Sequence, residues 1–189
     1  MTPLSPSTPS STSVELVDLE GPQRDRAIPV IRDSFTGIYR WHAKRTLRDI
    51  THVRGAEVSG ELVGVSMLER LAPEVGYVYY LAVLSAVRGH GIGARLLDDA
   101  LERFARDGIT VVYAAAEVDN VPSRKLFASR GFREVERHEP SYREGGLGAW
   151  GLRSRMRVVP GEVLLARRLT ASATDNTEAA RSVEGPHRG

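Results

Sequence analysis

The sequence predicts a mixed α/β domain. Three observations carry that prediction: strand-like segments of unequal length, an early hairpin, and helical stretches interspersed among the strands. A chain of 189 residues most simply makes one domain with tails. With 41% hydrophobic and 26% charged residues it can bury a sizeable core without staples. Residues 1–12 (MTPLSPSTPSST) and 171–189 are low in complexity and are expected to be disordered tails. The folded part is expected over 13–170.

Each element has its own signal. Ser13 to Leu19 alternates apolar and polar residues, which reads as a short strand. Arg24 to Arg48 has helical spacing, with a break near Ser34–Gly37 that divides it into two helices. Val53–Val58 and Leu62–Leu71 flank Ser59-Gly60-Glu61, a hairpin pattern. Gly76–Val83 (GYVYYLAV) is so apolar that it should be a central strand. A helix follows from about Gly91 to Arg106, with Leu96, Leu97, Ala100, Leu101 and Phe104 as its apolar stripe and Gly108 as its stop. Ile109–Ala116 is the next strand. Asn120 caps a helix that tolerates Pro122 in its first turn, runs to Arg130 and ends at Gly131. Phe132–Arg137 and Glu162–Leu169 complete the strands.

Composition removes several function classes. A net charge of +2 is too small to argue for nucleic acid, and no run of about 18 apolar residues suggests a membrane span. Zero cysteines exclude disulfides, thiolate metal sites and a cysteine nucleophile together. The five histidines form no ligand-like cluster, so no metal is expected. The Ser/Thr/Pro-rich start lacks a basic then apolar signal, which makes the cytoplasm the expected location.

Between the central strand and its helix lies Val87-Arg88-Gly89-His90-Gly91-Ile92-Gly93-Ala94. Backbone N–H groups at a helix N-terminus carry partial positive charge and attract anions. Glycines without Cβ atoms let the main chain approach phosphate oxygens, and Arg88 adds formal charge. A diphosphate is the best chemical match. The same residues also fit the dinucleotide pattern, as Gly89-x-Gly91-x-x-Ala94. Against it, five residues separate Val83 from Gly89, and no second nucleotide-binding half precedes residue 76. A glycine-rich surface turn with no ligand is the third reading.

These residues resemble the GNAT superfamily of acyl-CoA-dependent N-acyltransferases. Leu81-Ala82-Val83 followed by Arg88-Gly89-His90-Gly91-Ile92-Gly93 is similar to its first signature. Asn120, Ser123, Leu126, Phe127, Gly131 and Phe132 are similar to its second, in the right order and separation. The resemblance covers about 80–132. It implies a largely antiparallel central sheet with helices on both faces, and acetyl-CoA as co-substrate. The amides from Arg88 to Ala94 would hold the pyrophosphate, including His90 and Ile92. Leu81, Ala82 and Val83 would pair with the pantetheine arm. Asn120, Ser123 and Phe127 would stand near the far end of the cofactor. Ser123 replaces the usual alanine. Phe127 replaces the tyrosine that commonly protonates the departing thiolate.

The family often places a carboxylate where this chain has Tyr77, a poor base at neutral pH. Candidate bases are Glu117 first, then Glu69 and Glu74; Tyr79 and Tyr80 are the candidate replacements for the missing proton donor, with Tyr142 and His138 more distant. Acceptor selectivity in the family comes from the first helices and the last loop. Here those segments carry Arg40, Trp41, His42, Lys44, Arg45 and Arg48, then Arg143, Trp150, Arg153, Arg155 and Arg157. The implied partner is a small-molecule or peptide amine, with a homodimer left open. A non-catalytic acyl-CoA sensor is the rival.

Overall fold

The computed structural model describes residues 13–135, 156, 158 and 160–169. Its elements, in chain order, are β1 (Val14–Asp18), a 3-10 segment (Gly21–Ala27), α1 (Ile28–Ser34), α2 (Gly37–Asp49), β2 (His52–Val58), β3 (Glu61–Ala72), β4 (Val75–Val83), a 3-10 turn (Ser85–Val87), α3 (Ile92–Arg106), β5 (Val111–Glu117), α4 (Val121–Ser129), β6 (Arg133–Glu134) and β7 (Glu162–Arg168). The seven strands are ordered β1-β2-β3-β4-β5-β7-β6, so β4 is central as its composition requires. The β1–β2, β2–β3, β5–β7 and β6–β7 pairs are all antiparallel. No helix among the described residues is long and apolar enough to cross a membrane.

Two compact units divide the chain. The first comprises the described residues through Glu69 together with Val78–Asp99. Its β2–β3 hairpin closes through Ser59 (φ 53°) and Gly60 (φ 81°), both left-handed. Two consecutive left-handed residues give a tight turn whose twist matches that of the strands. Register shifts between Ala56 and Glu57, whose partners are Gly64 and Leu62. Val63 is the extra residue on β3, and a bulge of this kind exchanges the faces on either side of it. Leu62 accordingly packs with Val30, Ile31, Ala43, Leu47, Val65 and Met67, the cluster built by α1 and α2. Val63 joins Ala56, Val83, Ile92 and Leu96 beneath α3. Helices thus cover both faces of this part of the sheet. A Cβ on Gly64 would lie 3.0 Å from a Leu96 methyl and 3.2 Å from an Ile92 methyl, so the bare backbone lets α3 approach.

The second unit comprises Arg70–Tyr77 and the described residues from Ala100 onward. Both of its helix ends were legible as glycine stops. Gly108 (φ 74°) follows α3, with Ile109 N–H bonded to Phe104 O at 2.9 Å and Gly108 N–H to Ala105 O at 3.2 Å. Gly131 (φ 74°) repeats the arrangement after α4, through Phe132 N–H to Phe127 O and Gly131 N–H to Ala128 O. Left-handed glycine satisfies the orphan carbonyls in both places. The predicted strand Phe132–Arg137 is observed only over Arg133–Glu134, where it pairs with β7; residues 136 and 137 lie outside the described ones.

Candidate active site

The first unit contains the predicted glycine loop. Arg95 is the first residue of the α3 region whose amide enters the helical ladder, donating to Gly91 O at 3.0 Å. Among the described residues, the amides from Gly89 to Ala94 have no acceptor in the chain. Gly89 (φ 81°) and Gly91 (φ 78°) are left-handed, and a Cβ at either would meet no atom within 4 Å. The first turn of α3 has no acidic residue that would serve as an internal anion. Unpaired donors, a positive helix end and open space above the backbone fit a phosphate group. They do not by themselves distinguish one phosphate ester from another.

The frame under this loop was not foreseen. Asp33, at the end of α1, accepts from Ser85 N–H at 2.6 Å and from Ser85 Oγ at 2.9 Å. These hydrogen bonds, the backbone one foremost, hold the Asp33 carboxyl below its ordinary value, helped by the nearby Arg88 charge. Ser34 Oγ donates to Val83 O at 3.3 Å, and Arg88 Nε donates to the same oxygen at 2.9 Å. Arg88 also lies 3.8 Å from Asp33. The guanidinium expected beside a phosphate is therefore engaged as a brace across the end of β4. With two donors on the Val83 carbonyl, both of its lone pairs are occupied within the chain. His90 turns Nδ1 back to Arg88 O at 3.0 Å, which closes the loop on itself.

Leu81, Ala82 and Val83 end β4 as expected. Ala82 is buried in the α1/α2 cluster, while Leu81 packs on the α3 cluster with Val83. Tyr79 and Tyr80 are half-buried against the α1/α2 cluster, and Tyr80 meets Phe35 edge-on at 5.3 Å between ring centroids. Glu69 receives Thr51 N–H and Oγ1 at 3.2 and 2.8 Å, so both carboxylate oxygens bind its own hairpin region.

In the second unit, Tyr77 is 2% exposed and its hydroxyl donates to Met156 O at 2.9 Å. A buried phenol already donating is not a base. Glu74 is exposed, and its backbone carbonyl accepts from Thr110 and Val111. Glu117 is exposed at the end of β5, opposite Glu162 of β7. Asn120 Oδ1 accepts from Ser123 N–H at 3.1 Å, capping α4. Phe127 is 4% exposed and packs edge-on against Phe132 at 5.0 Å. His138, Tyr142, Arg143, Trp150, Arg153, Arg155 and Arg157 lie outside the described residues.

Comparison with known proteins gives a consistent result. The family model described as Acetyltransferase (GNAT) family matches residues 18–132. The N-alpha-acetyltransferase RimI of Mycobacterium tuberculosis is 39% identical over 105 residues, covering 54% of this chain and 65% of its own length. The chain thus spans a little under two thirds of that curated relative. Among solved structures, the ribosomal-protein-S18-alanine N-acetyltransferase from Escherichia coli superposes with TM-score 0.63 at 12% identity, over 86% of this chain and 98% of that one. N-acetylglutamate synthase from Neisseria gonorrhoeae, complexed with coenzyme A and N-acetyl-glutamate, gives TM-score 0.60 at 21% identity over 85% of this chain and 36% of its own. At such identities these two structures speak for the fold alone.

Proposed function

Because the chain belongs to the acetyltransferase (GNAT) family, we propose that it moves an acetyl group from acetyl-CoA to a primary amine by direct attack in a ternary complex. The observation that carries this reading is the run of unpaired amides from Gly89 to Ala94 at the N-terminus of α3. The pyrophosphate of acetyl-CoA is the anion assigned to it. Leu81–Val83 would offer main-chain groups to the pantetheine arm. Since the Val83 carbonyl is already filled by Arg88 and Ser34, that pairing falls to the remaining groups of the strand. Asn120, Ser123 and Phe127 enter the reading through the family's second signature.

The chemistry sets what the residues must do. A lysine-like amine with a pKa near 10.4 is about one part in a thousand neutral at physiological pH, a handicap of roughly 4 kcal/mol. The attacking amine must therefore lose a proton, directly or through water. We assign that proton to Glu117, whose exposed carboxylate has no partner among the described residues. A backbone N–H aimed at the thioester oxygen can contribute about 3–4 kcal/mol. A thiol with a pKa near 8.5 leaves with little help near neutral pH, so Phe127 in place of a tyrosine is compatible with turnover. With no cysteine in the sequence, direct transfer is favoured over a thioester relay on the protein.

A second reading, a non-catalytic acyl-CoA sensor, is favoured by the buried, hydroxyl-free Phe127 and by the committed hydroxyl of Tyr77. Thiol release from acetyl-CoA with a panel of small amines and peptide N-termini separates the two. Acceptor-dependent release, with kcat reduced at least tenfold in Glu117→Gln and KM for acetyl-CoA unchanged, supports the enzyme. Binding without release on every acceptor supports the sensor.

A further inference from the structure

We propose that a cleft between the 3-10 segment, α1 and the C-terminal half of α2 is a second anion site, built for a small phosphate-bearing molecule. Arg32, Lys44 and Arg48 line it with Asp25, Ile28 and Leu47, around a volume of about 490 Å³. The chain as a whole carries 26 basic and 24 acidic residues. This cleft sets three cations against one carboxylate, without counting Arg24 beside them.

Arg24 has a different task. Its Nη1 donates to Leu47 O at 3.2 Å and Arg48 O at 3.3 Å, its Nε to Leu19 O at 3.3 Å, and its Nη2 to Thr51 O at 3.2 Å. These include carbonyls at the C-terminal end of α2, the negative end of its dipole. Left bare, they would repel an anion; covered by a guanidinium, they do not. The cleft is thereby made hospitable to negative charge by a residue that does not itself need to touch the ligand.

The other three cations are unspent. Among the described residues, neither Arg32, Lys44 nor Arg48 has an ion-pair partner. Lys44 and Arg48 are four apart on α2, a spacing at which like charges destabilise a helix. Two guanidinium forks and one ammonium suit phosphate oxygens. Leu47, 2% exposed, and half-buried Ile28 supply an apolar floor. A volume of this size falls in the range of small-molecule sites.

The cleft is separate from the glycine loop. No glycine-loop residue lines the cleft: on α1, Asp33 and Ser34 bond Ser85 and Val83 beside the loop, whereas Arg32 lines the cleft with Lys44 and Arg48 of α2. The two sites should fill independently. This separates the basic residues that the sequence groups together. Arg40 caps α1 through Phe35 O at 2.8 Å, and Arg45 lies over the Trp41 ring at 5.9 Å, while Lys44 and Arg48 line the cleft.

The test is calorimetric titration of inorganic pyrophosphate into the full chain saturated with CoA, in 150 mM salt. A second, stoichiometric event is expected, weakened at least tenfold in Lys44→Glu and in Arg48→Glu while CoA affinity stays within twofold. Asp25→Asn, which removes the one carboxylate, should tighten pyrophosphate. Arg32→Gln, a milder change, should weaken it in a chain whose circular dichroism matches the parent. No event under CoA saturation, or one indifferent to all four substitutions, overturns the site. Binding of an acidic peptide with none of pyrophosphate overturns the small-ligand assignment. If CoA itself fails to bind, the difference between parent and variants still reads the cleft, so the two proposals fail separately.

Discussion

Asp33 holds two hydrogen bonds from Ser85 and stands near Arg88, an arrangement that favours its charged form. Its folded-state pKa is therefore lowered. A depressed carboxyl contributes stability that is present above the ordinary Asp value of about 3.9 and is lost as pH falls through the folded value. Asp33→Asn should lower the urea midpoint at pH 7, and its deficit should shrink as pH falls through the folded-state value of the parent. Because Ser85 leads into the glycine loop, the same change should weaken CoA several-fold at pH 7. A deficit that stays constant as the solution is acidified would contradict the assignment. Asp33 was not legible in the sequence, since 52 residues separate it from Ser85. The one local clue is an acid at the C-terminal end of a helix, where the dipole disfavours it. Arg88 was legible as important through its spacing from the glycines; its brace to Val83 O was not.

Helix α3 is pinned to the sheet by an ion pair that no local pattern announces. Arg54 on β2 is 8% exposed and bonds both oxygens of Asp99 at 2.8 Å, with Asp18 at 3.0 Å on its outer side. Hydrogen bonding to Asp99 raises the Arg54 pKa further above its ordinary value, so the guanidinium stays charged throughout the usual pH range. Removing one partner of a buried pair leaves an uncompensated charge, and Asp99→Ala should cost about 3 kcal/mol in denaturant unfolding. Asp18, 48% exposed at its side chain, should cost under about 1 kcal/mol when truncated to Ala. Equal losses would contradict the division between buried and surface partners. The elements themselves were legible because their signals are local. The Ser59-Gly60 turn, the glycine stops at 108 and 131 and the stripe from Leu96 to Phe104 each depend on neighbours within a helical turn or a hairpin. The Val63 bulge was not, because it exists only relative to the partner strand.

At the scale of the whole chain, the sheet order, the helices on both faces of its first unit and the family match to residues 18–132 agree with the resemblance drawn from two short motifs. The motifs were informative because the left-handed backbone at Gly89 and Gly91 tolerates few residue types. The acceptor was not legible, since amine selectivity depends on side chains gathered from segments without a fixed spacing. The glycine loop therefore carries the proposed cofactor binding. Gly93 lies inside α3 and outside the left-handed region, so Gly93→Val avoids the φ strain that a change at Gly91 would bring. Calorimetric titration of CoA into the parent and Gly93→Val chains is the direct measurement. Stoichiometric binding by the parent is expected, with at least a tenfold loss in a variant whose circular dichroism matches the parent. Equal affinity in the two chains, or no binding by the folded parent at millimolar CoA, would contradict it.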